Sequence, residues 1–271
     1  MHATRNNRGT KTFAATLLAV AIGLASTGYA QAQSVQFSSE ADSDSGTATQ
    51  TLLGLLQSPQ NWGPDDQSQT TTSGSNDQTA PSIDEDISGV DVFESEDADN
   101  STDAGATGDQ ADASSSSGSG SALGGLISWS NLSIQLSCLP DGSISDQIDC
   151  TTYESVTNLL INGQPAAKAG SFAAGTSIPV SGNIPDTNCP LGTDSFTGNV
   201  VLDNSILNSG GEQGSDNEIG MQITGTATCD TLGLVPLYTT AYNEQIGAPR
   251  ISYEYTAQKY IVEKQVNYYY Y

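Results

Sequence analysis

The chain has 271 residues, with 31 Asp and Glu against 7 Lys and Arg and a formal net charge of −24. That balance excludes nucleic acid as a partner, because phosphate backbones are held by clustered Lys and Arg and the long-range field here repels them. It disfavours an anionic membrane surface for the same reason. The only histidine is His2, so the rest of the chain cannot run a Ser-His-Asp or Cys-His mechanism or build a His-containing zinc site.

From the N-terminus, Arg5, Arg8 and Lys11 precede an apolar run from Phe13 to Leu24, and Ala30-Gln31-Ala32 offers a small-residue cleavage site. This pattern predicts a cleaved signal peptide over residues 1–32 and an exported, secreted protein, whether released, surface-bound or periplasmic. The run is shorter than the ~20 apolar residues that span a bilayer. No later segment is long enough either, so no transmembrane helix is expected in the mature chain. After the leader only Lys168, Arg250, Lys259 and Lys264 carry positive charge.

Residues 33–121 hold 17 of the acids, no Lys or Arg, and only Phe37, Trp62 and Phe93 as aromatics. Ser, Thr, Asp, Gly, Ala and Gln fill most of the remainder. Such a composition buries too little apolar surface to offset its ordering entropy, so the segment reads as a disordered acidic spacer. The run Ser115 to Ser121 reads as flexible linker. Two islands interrupt it: Thr51 to Leu56 (TLLGLL), with the character of one or two helical turns, and the short apolar patch Val90 to Phe93. Either is a docking element on the functional reading, and incidental apolar content on the bland one.

From residue 122 to 271 the character changes to short Val/Ile/Thr/Tyr-rich segments separated by Gly, Asn, Asp and Pro. This predicts an all-β fold, a single antiparallel β-sandwich. Ile134, Leu136 and Cys138 alternate with polar neighbours, and Tyr153 to Ile161 ends at Asn162-Gly163, a hairpin signal because both central positions of a type I′ turn need positive φ. Further strands are expected at Ser177 to Val180, Phe196 to Leu202, Ile219 to Ile223, Leu234 to Tyr242 and Ile251 to Tyr255. Cys138, Cys150, Cys189 and Cys229 are the only cysteines. An even count in an exported chain implies disulfides, and spacing favours Cys138 with Cys150 and Cys189 with Cys229. A four-thiolate metal site lacks the close C-x2-C spacing such sites show.

The order Gly124-Gly125-Leu126-Ile127, a Cys-bearing strand, Leu159 to Pro165 (LLINGQP), Gly175 to Val180 (GTSIPV) and Tyr242 to Gln245 (YNEQ) resembles the secreted bacterial choice-of-anchor surface domains. The resemblance spans roughly residues 122 to 262. It implies an extracellular surface protein without known catalysis and brings no functional residues to carry over. The chain departs from that pattern by a Cys-flanked insertion, about Asn183 to Leu232, and by lacking an obvious C-terminal anchor.

Candidate chemistry is sparse, and neither a cofactor nor a metal is expected. Asp194, Asp203, Glu244, Glu254 and Glu263 supply carboxylates for a glycosidase pair, which needs two acids facing across a cleft. Asp216-Asn217-Glu218 could offer oxygen ligands to calcium, but a solvated turn is the plainer reading of the same residues, and no EF-hand pattern is present. Nine of the eleven tyrosines crowd into the last 34 residues, ending in Tyr268, Tyr269, Tyr270 and Tyr271. Rigid amphipathic rings suit protein contact or sugar stacking; for Tyr253 and Tyr255 the plainer reading is a packed strand. The expectation is therefore a non-catalytic extracellular protein acting in structure, adhesion or matrix assembly. Its expected partners are other extracellular proteins, glycans or further copies of itself. The alternative is a carbohydrate-binding module with a tyrosine-rich face.

Overall fold

The computed structural model describes residues 34–63, 69–71, 74–105, 110–140, 148–166, 175–203, 206–207, 213–230 and 236–256. The expected signal peptide and Tyr268 to Tyr271 lie outside these residues. The described chain is all-β with every pairing antiparallel, and it contains no helix among the described residues, hence none long and apolar enough to cross a membrane.

Chain order explains the architecture. The first strands, β1 (Ser34–Ala41), β2 (Asp44–Leu52), β3 (Leu55–Leu56), β4 (Gln60–Trp62) and β5 (Gln69–Thr71), belong to the same layer as the last. The middle of the chain forms the facing sheet. It comprises β6 (Gly74–Ile87), β7 (Val90–Ala104), β8 (Ala111–Ser117), β9 (Gly120–Ala122), β10 (Ile127–Trp129), β11 (Asn131–Pro140), β12 (Ile148–Thr157), β13 (Leu160–Ile161) and β14 (Gln164–Pro165). The chain then returns as β15 (Thr176–Pro185), β16 (Thr193–Leu202), β17 (Ile206–Leu207), β18 (Gln213–Asn217), β19 (Met221–Asp230), β20 (Pro236–Ile246) and β21 (Arg250–Thr256). Short hairpins make this possible: Ser88-Gly89 joins β6 to β7 and Asn162-Gly163 joins β13 to β14, all four residues at positive φ as type I′ turns require.

The first layer is creased. Strand order is β16-β19-β20-β2 on one side of the crease and β17-β18-β21-β1 on the other, so strands consecutive in the chain (β1 and β2, β16 and β17, β18 and β19, β20 and β21) lie in different sheets. Hydrogen bonds continue across it: Gly247 N donates to Ser43 O at 2.9 Å, Gly220 N to Gly247 O at 2.9 Å and Asp203 N to Gly220 O at 3.1 Å. Glycine is needed here because Ile134 of β11 presses into the bend. A Cβ on Gly220 would lie 2.6 Å from its Cδ1, and one on Gly247 would collide with the same atom.

Two large apolar clusters fill the sandwich, with a third, small one around Cys189, Cys229 and Tyr238. The larger joins Phe93, Leu123, Ile127, Trp129 and Ile134 of the middle sheet to Phe196, Val200, Met221, Ile223 and Tyr242 of the returning strands. The smaller joins Val35, Phe37, Ile251 and Tyr253 to Ala111, Ala113, Leu136 and Ile148. Cys138 and Cys150, directly opposite on β11 and β12, are bridged, as are Cys189 and Cys229; no cysteine is free.

Residues 33–121 are not a spacer throughout: from Ser34 onward their described parts are strands of the sandwich, and one compact unit runs from Val35 to Thr256. The folded part therefore does not begin at residue 122. The physical reason is division of labour between segments. In β7, Ala98, Asn100, Thr102 and Ala104 are buried while Asp99 and Asp103 face water, and Ala111, Ala113 and Ser115 of β8 repeat the alternation. These small inward residues supply little apolar area, but Phe37, Leu136, Ile251 and Tyr253 arrive from other strands to cover them. Thr51 to Leu56 makes a β-hairpin in place of helical turns, and Val90 to Phe93 is core, with Val90, Val92 and Phe93 essentially inaccessible.

Candidate functional site

Two features stand out from the packed sandwich, one apolar and exposed, the other acidic and buried. The first is the β2–β3 hairpin. Leu52 pairs with Leu55, so Leu53-Gly54 forms the two-residue turn, with φ of 48° and 81°. That turn geometry favours Asn, Asp or Gly, and a leucine in the left-handed region costs roughly 1–2 kcal/mol. Leu53, Leu55 and Leu56 are 71%, 71% and 74% exposed, with Leu52 partly so. Backbone strain and water-exposed apolar surface thus coincide at one loop tip.

The acidic feature lies at the crease. Glu154 comes from β12, opposite Ile134 of β11. Asp203 follows β16 with φ of 50°, and Glu218 follows β18, its N–H bonded to Pro249 O at 3.0 Å. One oxygen from each of the three carboxylates lies within 4.8 Å of the others. Glu218 is wholly buried and neither of its oxygens finds a hydrogen-bond partner; Glu154 Oε2 is buried in the same state. Burial and then the neighbouring Asp203 push Glu154 up to about 8. Burial, Asp203 and then Glu154 push Glu218 up to about 9.

Other buried acids are dispersed. Asp194 sits beside Asp186 near the Cys189–Cys229 disulfide, and burial, then Asp186, raises it to about 7. Asp186 itself accepts the Tyr238 hydroxyl at 2.5 Å and the Asn188 N–H at 2.7 Å. Glu244 of β20 is fully buried and held well above the ordinary carboxylate range by burial and then by Asp44 and Asp91.

Of the acids considered for a glycosidase pair, Asp194 and Glu244 are interior residues in different surroundings, Asp203 belongs to the crease trio, Glu254 is exposed on β21, and Glu263 lies outside the described residues. The Asp216-Asn217-Glu218 triplet is not a solvated turn. Asp216 points inward to within 4.0 Å of Cys138 Sγ, and Glu218 enters the crease. Among the tyrosines, Tyr238, Tyr242 and Tyr253 are buried, whereas Tyr153 is 60% exposed. Glu154 was missed by sequence reasoning because nothing in its own strand distinguishes it; its partners lie about 50 and more residues downstream.

These features define an all-β antiparallel sandwich with two disulfides and an acidic crease. No family model matches the chain, and no curated protein or solved structure matches it either.

Proposed function

We propose that this chain is a non-catalytic, exported contact protein that acts in extracellular structure, adhesion or matrix assembly, with the β2–β3 hairpin as a contact element. The leucine-tipped turn carries this reading. A sequence that places leucine where the backbone favours Asn or Gly, and leaves three leucines in water, gives up stability that contact with a partner would recover. Two disulfides fit an oxidising, non-cytoplasmic setting, and the leader pattern and the resemblance to choice-of-anchor domains point the same way. The carbohydrate-binding alternative loses three tyrosines to the core, since Tyr238, Tyr242 and Tyr253 are unavailable for stacking on a sugar.

The test replaces the tip without touching the core. Leu53→Asn suits the left-handed turn, and Leu55→Ser with Leu56→Ser removes the apolar surface. The triple variant should keep or modestly raise its melting temperature, because Leu53→Asn relieves the left-handed strain and the two serines replace exposed side chains. Self-association in sedimentation, or retention at the cell surface, should weaken by roughly tenfold or more, as for an interface anchor. Undiminished association and retention in the triple variant would overturn the assignment of the hairpin.

A further inference from the structure

We propose that Glu154, Asp203 and Glu218 form a calcium site that ties the two layers of the sandwich together at the crease. The site is independent of the leucine hairpin and nothing in the contact reading requires it. Its three oxygens lie within 4.8 Å of one another. Calcium takes several protein oxygens at about 2.3–2.6 Å in flexible geometry, whereas magnesium demands near-ideal octahedral geometry and keeps several waters.

The acids are more than neighbours. As carboxylates the three only accept hydrogen bonds, so facing one another they need protons or a cation between them. Glu218 has no partner for either oxygen despite being wholly inaccessible, and Glu154 Oε2 points into the same buried space unpartnered. Ionising the three acids without a counter-charge is strongly unfavourable, so protons hold the cluster together until a divalent cation displaces them and lets all three ionise. All three donors are hard oxygens, which suits calcium and excludes a thiolate-type site. Glu154 and Asp203 are partly exposed, leaving a path from solvent. Bound there, the ion links β12 of the middle sheet to the two crease turns of the other layer, beside the Ile134 contact that already sets their spacing.

The experiment uses the full exported protein with both disulfides closed, stripped with EDTA and titrated with CaCl2 against MgCl2 and NaCl at matched ionic strength. Calorimetry should show one saturable calcium site with Kd at or below about 1 mM, the range of extracellular calcium modules. The melting temperature should rise by several degrees with calcium and much less with magnesium. Glu218→Gln keeps the shape and removes the group that can ionise onto the cation, so its metal-free melting temperature should hold while calcium affinity falls at least tenfold. Glu154→Gln, at a partly exposed position, gives the same readout should the buried variant fail to fold. Asp99→Asn, on the outward face, should leave the calcium response intact. Absence of saturable binding, an equal response to magnesium, or an unchanged calcium shift in the Glu154 and Glu218 variants would overturn the site.

Discussion

At the scale of single residues, the interior is unusually rich in acids, and each must be accommodated by a proton, a donor or an ion. Asp194 shows the proton route. As a carboxylate it finds no donor for either oxygen, but protonated it can donate to Asp186, whose oxygens also take the Tyr238 hydroxyl and the Asn188 N–H. Its folded value near 7 lies above the ordinary 3.8, so the folded state binds the extra proton and this contribution to stability falls as pH rises from about 4 to about 7. Asp194→Asn donates to Asp186 at every pH. Its melting temperature relative to wild type should therefore improve progressively across that window. A difference between the two proteins that stays constant with pH would show that Asp194 does not titrate in this way.

At the scale of elements, both tryptophans solve the same problem. Gly46 of β2 lies directly opposite Trp62 of β4, and Gly120 of β9 directly opposite Trp129 of β10. A Cβ on either glycine would collide with the indole ring across from it. The ring lies over the bare backbone and restores the packing that glycine alone forfeits in a strand. Neither glycine has positive φ, so the effect of adding a methyl group is steric. Gly120→Ala should cost about 1–3 kcal/mol, as overpacking does, in denaturant unfolding, with a change in the near-ultraviolet signal of Trp129. A neutral substitution would mean that the ring moves aside freely. The neighbouring β6–β7 ribbon carries the opposite burden: Asp84 faces Glu94 and Asp86 faces Asp91 across the ladder, pairs that repel and that salt screens.

At the scale of the whole molecule, the N-terminal acidic stretch is structural. β2 runs beside β20 through nine residue pairs, and β1 carries Phe37 and Val35 into the smaller core. Limited proteolysis should accordingly leave a protected body that starts near Ser34, with any nicked pieces remaining associated. A chain starting at residue 122 should fail to fold cooperatively, because β11 would lose β8 and the middle sheet would lose β7. Recovery of a stable fragment of residues 122–271 would refute this arrangement.

What could be read in the sequence was whatever is encoded locally. Alternation at Ile134, Leu136 and Cys138, the Asn162-Gly163 turn and the β-rich segments after residue 175 all specify strands through contacts within a few residues. The all-β antiparallel class follows from them. The Ala/Ser/Asp alternation in β7 and β8 is the same period-2 signal written in small residues, and composition masked it: area buried per residue is low unless another strand supplies the apolar partner. The apolar run Thr51 to Leu56 has the character of helical turns because it bears no turn signature, while the left-handed turn at Leu53 is imposed by the pairing of β2 with β3 and β20. The crease trio was not legible at all. Glu154, Asp203 and Glu218 meet only because consecutive strands of the chain pass from one sheet to the next at the crease and glycines let Ile134 into the bend. Strand chemistry is local and is carried by the residues themselves, whereas the meeting of charges from distant strands depends on how layers fold over one another, and that is decided only in the tertiary structure.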